Sequence, residues 1–263
     1  SDVYKRQHLQ NPDGSTHINL WYRLTTAFAE EEMMVYSAAP RHHLTVWYPS
    51  VGVYAARQGS WVLGAKFGSN GDSHNHNDTG SITVYKDGRP LLIDIGVESY
   101  TKKTFSPQRY EIWTMQSGWH NLPQFDPDGA KYDQQPGAAF AAADVTVTDA
   151  LDGLAMDLAP AYGSVPGLGR YRRSVHLTDT GLTLHDETDY PGTVALTLMS
   201  VEKPTVDGDT VAFGALAAAA VTGADKIVTE AVPIADPRLR QAWPGTLYRT
   251  RIYFTQQLSL VIE

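Results

Sequence analysis

The 263-residue chain has no cysteine, which removes disulfides, thiolate metal ligands and cysteine nucleophiles together. That absence leaves the compartment open, because a chain of this length needs no covalent staples even outside the cell. No apolar run approaches the roughly 18 residues of a membrane span; the longest bland stretch, Gly214 to Val221, is mostly alanine. Positive charge is not in excess either, with 21 Lys and Arg against 29 Asp and Glu and a net charge of -8. Such a balance offers no general basic surface, so neither nucleic acid nor membrane is expected as a partner, and a polyanion has to be gripped by a local cluster. Internal repeats, heptads and a signal-peptide pattern are also missing. The opening Ser1–Gln7 does not read as a natural start, and Leu258–Glu263 stops inside a strand-like run, so a piece of a longer protein is expected.

What is present is mostly period two. Residues 8 to 45 alone have helical character, with Ile18, Leu20, Trp21, Leu24, Phe28, Met33, Met34 and Tyr36 spaced around Glu30-Glu31-Glu32. From Val46 onward short β-rich runs follow one another: Val51–Ala56, Trp61–Phe67, Ser81–Tyr85, Leu91–Asp94, Val145–Thr148, Tyr171–Leu177, Leu182–Glu187, Val194–Leu198, Val211–Phe213 and Tyr248–Phe254. Asp87-Gly88, Asp152-Gly153 and Asp207-Gly208 punctuate them as turns. The expected fold is all-β, an antiparallel β-sandwich of supersandwich type over residues 46–263, with a short helical N-terminal segment over 1–45. Between Gly96 and Pro136 alternation disappears while Tyr100, Lys102, Lys103, Phe105, Arg109, Tyr110, Trp113, Trp119, His120 and Tyr132 crowd together. A loop of that length in a compact domain is uncommon unless it works.

The densest chemistry lies in Gly68–Gly80, where thirteen residues include His74, His76, Asp72, Asp78, three asparagines and three glycines, with no aliphatic side chain. In an extended segment, side chains two apart share a face about 6.6 Å from each other. His74 and His76 are then expected to point the same way, supported by Asn75 and Asn77. Without cysteine, zinc is held by nitrogen and carboxylate donors, and His76, Asp94 and His120 would supply such a set. Asp94 ends an aliphatic run, where a lone carboxylate is costly unless paired, bound to a cation or capping the turn before Gly96.

The ordered motifs Phe67–Ser81, Gly88–Gly96, Arg109-Tyr110-Glu111, His120-Asn121, Ala161-Tyr162 and Tyr171–Val175 resemble the C-terminal half of heparinase II/III-type polysaccharide lyases over roughly residues 46 to 262. The resemblance implies a helical toroid N-terminal to the sandwich, absent from this chain, with the cleft between the two. It also implies zinc held by His76, Asp94 and His120, with His74 lining the cleft as a catalytic or charge-neutralising group. Tyr110 matches a cleft tyrosine, and a periplasmic or secreted location follows from the same resemblance.

Such a lyase removes the C5 proton of a uronic acid and expels O4, so it needs donors for the carboxylate, a base, and a proton for the leaving group. Family members draw an asparagine or histidine and a tyrosine from the helical half. This chain alone is therefore expected to be inactive or nearly so, with zinc bracing the loop rather than attacking anything. Two other readings compete: a non-catalytic carbohydrate-binding or scaffolding sandwich, and a cupin-like metal oxygenase. The latter expects a glutamate shortly after the second histidine, where Thr79-Gly80-Ser81-Ile82 stands.

Overall fold

Alternating burial along the strands dictates two packed sheets. The structure, a computed structural model, describes residues 43–263 and, before them, Trp21, Leu24, Thr25, Ala27, Phe28 and Ala29, which are helical. The rest of the helical expectation for residues 8–45 lies outside the described residues, except that its last three positions already belong to a strand. Two compact units divide the chain, Ser1–Arg41 and His42–Glu263.

Within the second unit the strands run β1 (His43–Tyr48), β2 (Val53–Gln58), β3 (Trp61–Lys66), β4 (Ser69–Asn70), β5 (Ile82–Lys86), β6 (Arg89–Leu92), β7 (Pro123–Phe125), β8 (Gly137–Ala141) and β9 (Ala143–Val147). They continue as β10 (Gly153–Asp157), β11 (Tyr171–Leu177), β12 (Leu182–Thr188), β13 (Val194–Ser200), β14 (Pro204–Asp207), β15 (Thr210–Phe213), β16 (Ala217–Pro233) and β17 (Thr246–Ile262). Five of them make one sheet, in the order β1-β2-β3-β5-β6. A ten-stranded sheet runs β14-β15-β16-β17-β12-β11-β10-β9, with β13 pairing both β17 and β7, and β4 and β8 form a small ribbon. Every pairing is antiparallel, as a sandwich built from hairpins requires.

The inward faces of the two large sheets supply the main core, where Trp61, Leu63 and Val84 of one meet Leu154, Val175, Leu184, Leu196 and Phe254 of the other. β13 is buried on every residue, so it cannot have one wet face. Its Leu196 and Leu198 join the main core, whereas Met199 joins a second cluster with Ile93, Ile95, Val232, Ile234, Leu239 and Leu247. That second cluster is how the segment after β6 is fastened to the ten-stranded sheet. The Asp87-Gly88 turn between β5 and β6 has φ of 53° and 73°, the left-handed pair that a tight hairpin wants. Gly52 (φ 64°) has a stricter reason: a Cβ there would come 2.3 Å from the Gly68 nitrogen, where the motif-rich loop begins.

Candidate functional site

Gly71–Gly80 is a chain of turns rather than a strand, because its Gly, Asp and Asn residues favour local bonds over a ladder. His74 sits at φ 60°, and the expected shared face of the two histidines is lost. His76 lies against His120, with ring centroids 5.2 Å apart, whereas the exposed His74 stacks near Tyr100 at 6.0 Å. A buried amide network holds the loop. Asn70 Nδ2 donates to Gln134 Oε1 at 2.9 Å, while the Thr79 amide donates to the oxygens of both side chains. Asn77 Nδ2 donates to the Gln134 carbonyl at 3.0 Å. Asn75 Nδ2 donates to the Asn70 carbonyl at 2.6 Å, and its Oδ1 accepts from the Tyr110 hydroxyl at 3.2 Å. Arg109 reaches the Asn75 carbonyl at 2.8 Å, so Arg109 and Tyr110 are both pinned to the residue between the two histidines.

His76, Asp78, Asp94 and His120 form one group, each offering a donor atom within 4.8 Å of the others. They come from the loop before β5, the end of the β6 run and the turn after the Ser117–Trp119 3-10 helix. Asp78 joins the expected three as a fourth member, two residues after His76, a spacing that is its one signal in the sequence. It is paired with Lys66 at the end of β3. A cleft of about 270 Å³ reaches the two carboxylates of the group, though neither histidine, and is lined by Val53, Ala55, Lys66, Asp78, Thr83 and Asp94.

The ionisation follows from the partners. His120 is fully buried; its Nδ1 lies 3.0 Å from Asp94 Oδ2 and its Nε2 lies 3.1 Å from the Thr114 carbonyl. Both partners are acceptors, an arrangement that favours the doubly protonated ring. Burial alone would lower the pKa of His120, but Asp94 outweighs it and raises it. Enclosure would push Asp94 upward; the charge and hydrogen bond of His120 overcome this and hold it well below the usual carboxylate range. Asp94 Oδ1 also accepts from the Gly96 amide at 2.8 Å, so the carboxylate caps its turn as well as facing the group. His76 is pushed down to about 4, first by burial and then by charged His120.

A divalent ion that accepts nitrogen and oxygen suits this donor set, with His76 already neutral and Asp94 ionised. Ligation by His120 requires it to release one ring proton.

Two further residues position the site. Arg173 and Asp186 are wholly buried and paired at 2.7 and 2.9 Å. The same guanidinium donates to the Gly80 carbonyl at 2.9 Å and to the Asn121 carbonyl at 2.7 Å. It therefore ties the end of the histidine loop to the residue after His120. Asn121 in turn bridges the Ile82 and Ile93 carbonyls and accepts from the Met199 amide, fastening His120 to both sheets.

The family described as "Heparinase II/III-like, C-terminal" matches residues 40–250. No curated protein sequence matches the chain. Among solved structures, heparinase III aligns with 86% of this chain and 37% of its own, at 20% identity and a TM-score of 0.60. A heparan sulfate lyase from Pedobacter heparinus aligns over 92% of this chain and 40% of its own, at 17% identity and TM-score 0.59. A variant of the Streptomyces coelicolor A3 chondroitin AC lyase aligns over 92% and 36%, at 11% identity and TM-score 0.52. At these identities the likeness is one of fold, and the chain spans two fifths or less of each of these three structures.

Proposed function

The chain belongs to the heparinase II/III-like C-terminal family, and from that premise we propose that it is the sandwich portion of a polysaccharide lyase that cleaves uronic-acid-containing anionic polysaccharide by β-elimination. The observation that carries the reading is the convergence of His76, Asp94 and His120 from three separate segments beside a loop that presents His74 and holds Tyr110. A binding-only sandwich gives that convergence no task.

Elimination breaks the C5–H bond, moves its electrons into a C4–C5 double bond and breaks C4–O4, so O4 must leave protonated. His74 is exposed and has no competing carboxylate among the described residues, which suits it to neutralise the uronate or take the C5 proton. Tyr110, whose hydroxyl rests on Asn75, would be the group that moves a proton at O4. Asn75, next to His74 in the chain, holds the Tyr110 hydroxyl on its side-chain oxygen. The remaining groups come from the part of the longer protein outside this chain. His76, Asp94 and His120, with Asp78 beside them, would hold zinc, and the bound ion would supply a fixed charge that braces the loop. A periplasmic or secreted location accords with a polysaccharide too large to enter the cell.

The test follows the ultraviolet absorbance of an unsaturated uronate when the longer protein meets heparan sulfate, chondroitin sulfate and alginate. Product from one of them, lost in His74→Ala and Tyr110→Phe, is expected. No product from any of the three would sink the reading.

A further inference from the structure

Beside the candidate site two aromatic rings are left in solvent: Tyr100 is 43% exposed and Phe105 65%. Their rings meet edge to face with centroids 5.3 Å apart. His74 stacks near Tyr100 and meets Phe105 edge-on at 6.2 Å. A third segment arrives from the connection between β16 and β17, where the guanidinium carbon of Arg238 lies 4.6 Å from the Tyr100 ring centre. Asp236 fastens these segments together. Its carboxylate accepts from the Ser99 amide at 3.1 Å, next to Tyr100, and from the Arg238 and Leu239 amides at 2.9 and 3.1 Å. Among the described residues Arg238 has no carboxylate at ion-pair distance, and its side chain donates no hydrogen bond to the protein.

Each feature has a cost that a ligand would offset. Exposed aromatic rings forgo burial, and a guanidinium lying over a ring keeps its forked donors free for an oxyanion. We propose that Tyr100, Phe105 and Arg238 form a subsite for an anionic sugar next to His74. Phe105, the more exposed ring, takes the C–H face of a pyranose while Tyr100, edge to face with it, holds it in place, and Arg238 takes the sugar's carboxylate or sulfate. The substrate class rests on the functional reading above; the subsite itself is a matter of binding and is tested without turnover.

The experiment titrates the 263-residue chain by calorimetry with three hexasaccharides: a sulfated heparan fragment, an unsulfated hyaluronan fragment and neutral cellohexaose. Both charged sugars are expected to bind more tightly than the neutral one. Arg238→Ala should weaken the charged sugars by on the order of tenfold and flatten their salt dependence. Phe105→Ala and Tyr100→Ala should weaken all three, because stacking ignores charge. An Arg238→Ala effect confined to the heparan fragment makes sulfate the group recognised, and an equal effect on both makes it the carboxylate. Since all three side chains are at the surface, folding of the variants is checked by their unchanged melting.

Wild-type affinity in the Arg238 and Tyr100 variants, or no binding of either charged sugar by the wild-type chain, overturns the subsite. Saccharide binding without elimination by the longer protein would instead sink the lyase reading and leave the subsite standing. Elimination that is indifferent to Arg238 and Tyr100 would do the reverse.

Discussion

Removing the guanidinium of Arg173 leaves Asp186 buried with only the Tyr171 hydroxyl, and frees the Gly80 and Asn121 carbonyls that frame the candidate site. A buried pair broken on one side costs about 3–5 kcal/mol, so Arg173→Met should lower the unfolding free energy by that order in urea titrations. Arg173→Leu paired with Asp186→Leu should recover much of the stability while leaving the two loops untied, which a loss of metal affinity would report. His74 separates from the other histidines by the same kind of measurement. His76→Ala and Asp94→Ala are expected to lose the metal and melt lower, whereas His74→Ala keeps it; equal metal loss in all three would refute that division. His76 also sets a pH dependence. Its folded pKa of about 4 lies below the value near 6.5 of an unfolded histidine, so acidification between those values protonates the unfolded chain first. Stability of the chelator-treated protein should therefore fall from pH 6.5 toward 4, and His76→Gln should remove that part of the slope.

At the scale of elements, Gly52 is the sharpest case. Its left-handed φ and its contact with Gly68 place the end of the β1–β2 turn against the start of the histidine loop, and its carbonyl accepts from the Phe67 amide at 2.7 Å. Gly52→Ala should cost roughly 1–3 kcal/mol and broaden amide signals of the Gly68–Gly80 loop. Strands such as β3, β11 and β12 were legible because one face is wet and alternation survives in the sequence. β16 was not: its Ala217–Ala220 start has neither bulk nor branching, and its later half is exposed on both faces, so no alternation marks it. The site was legible as a set of residue types, since His76, Asp94 and His120 stand together. It was misread as geometry, because a strand-like face was assumed where His74 turns left-handed. Asp78 and Arg173 were harder to see. The first is defined by a fold-dependent meeting with Lys66, and the second by carbonyls 52 and 93 residues distant.

At the scale of the whole molecule, both apolar clusters, among the described residues, draw their buried members from Tyr54 onward. The pairs Lys66–Asp78 and His120–Asp94 carry a larger implication. Each carboxylate of the group already holds a cation drawn from the protein, so the nascent chain has no uncompensated charge obliging it to wait for an inorganic partner. An ion held by His76, Asp94 and His120 would therefore arrive at a group whose charges are already balanced, displacing the proton of His120 rather than nucleating the fold.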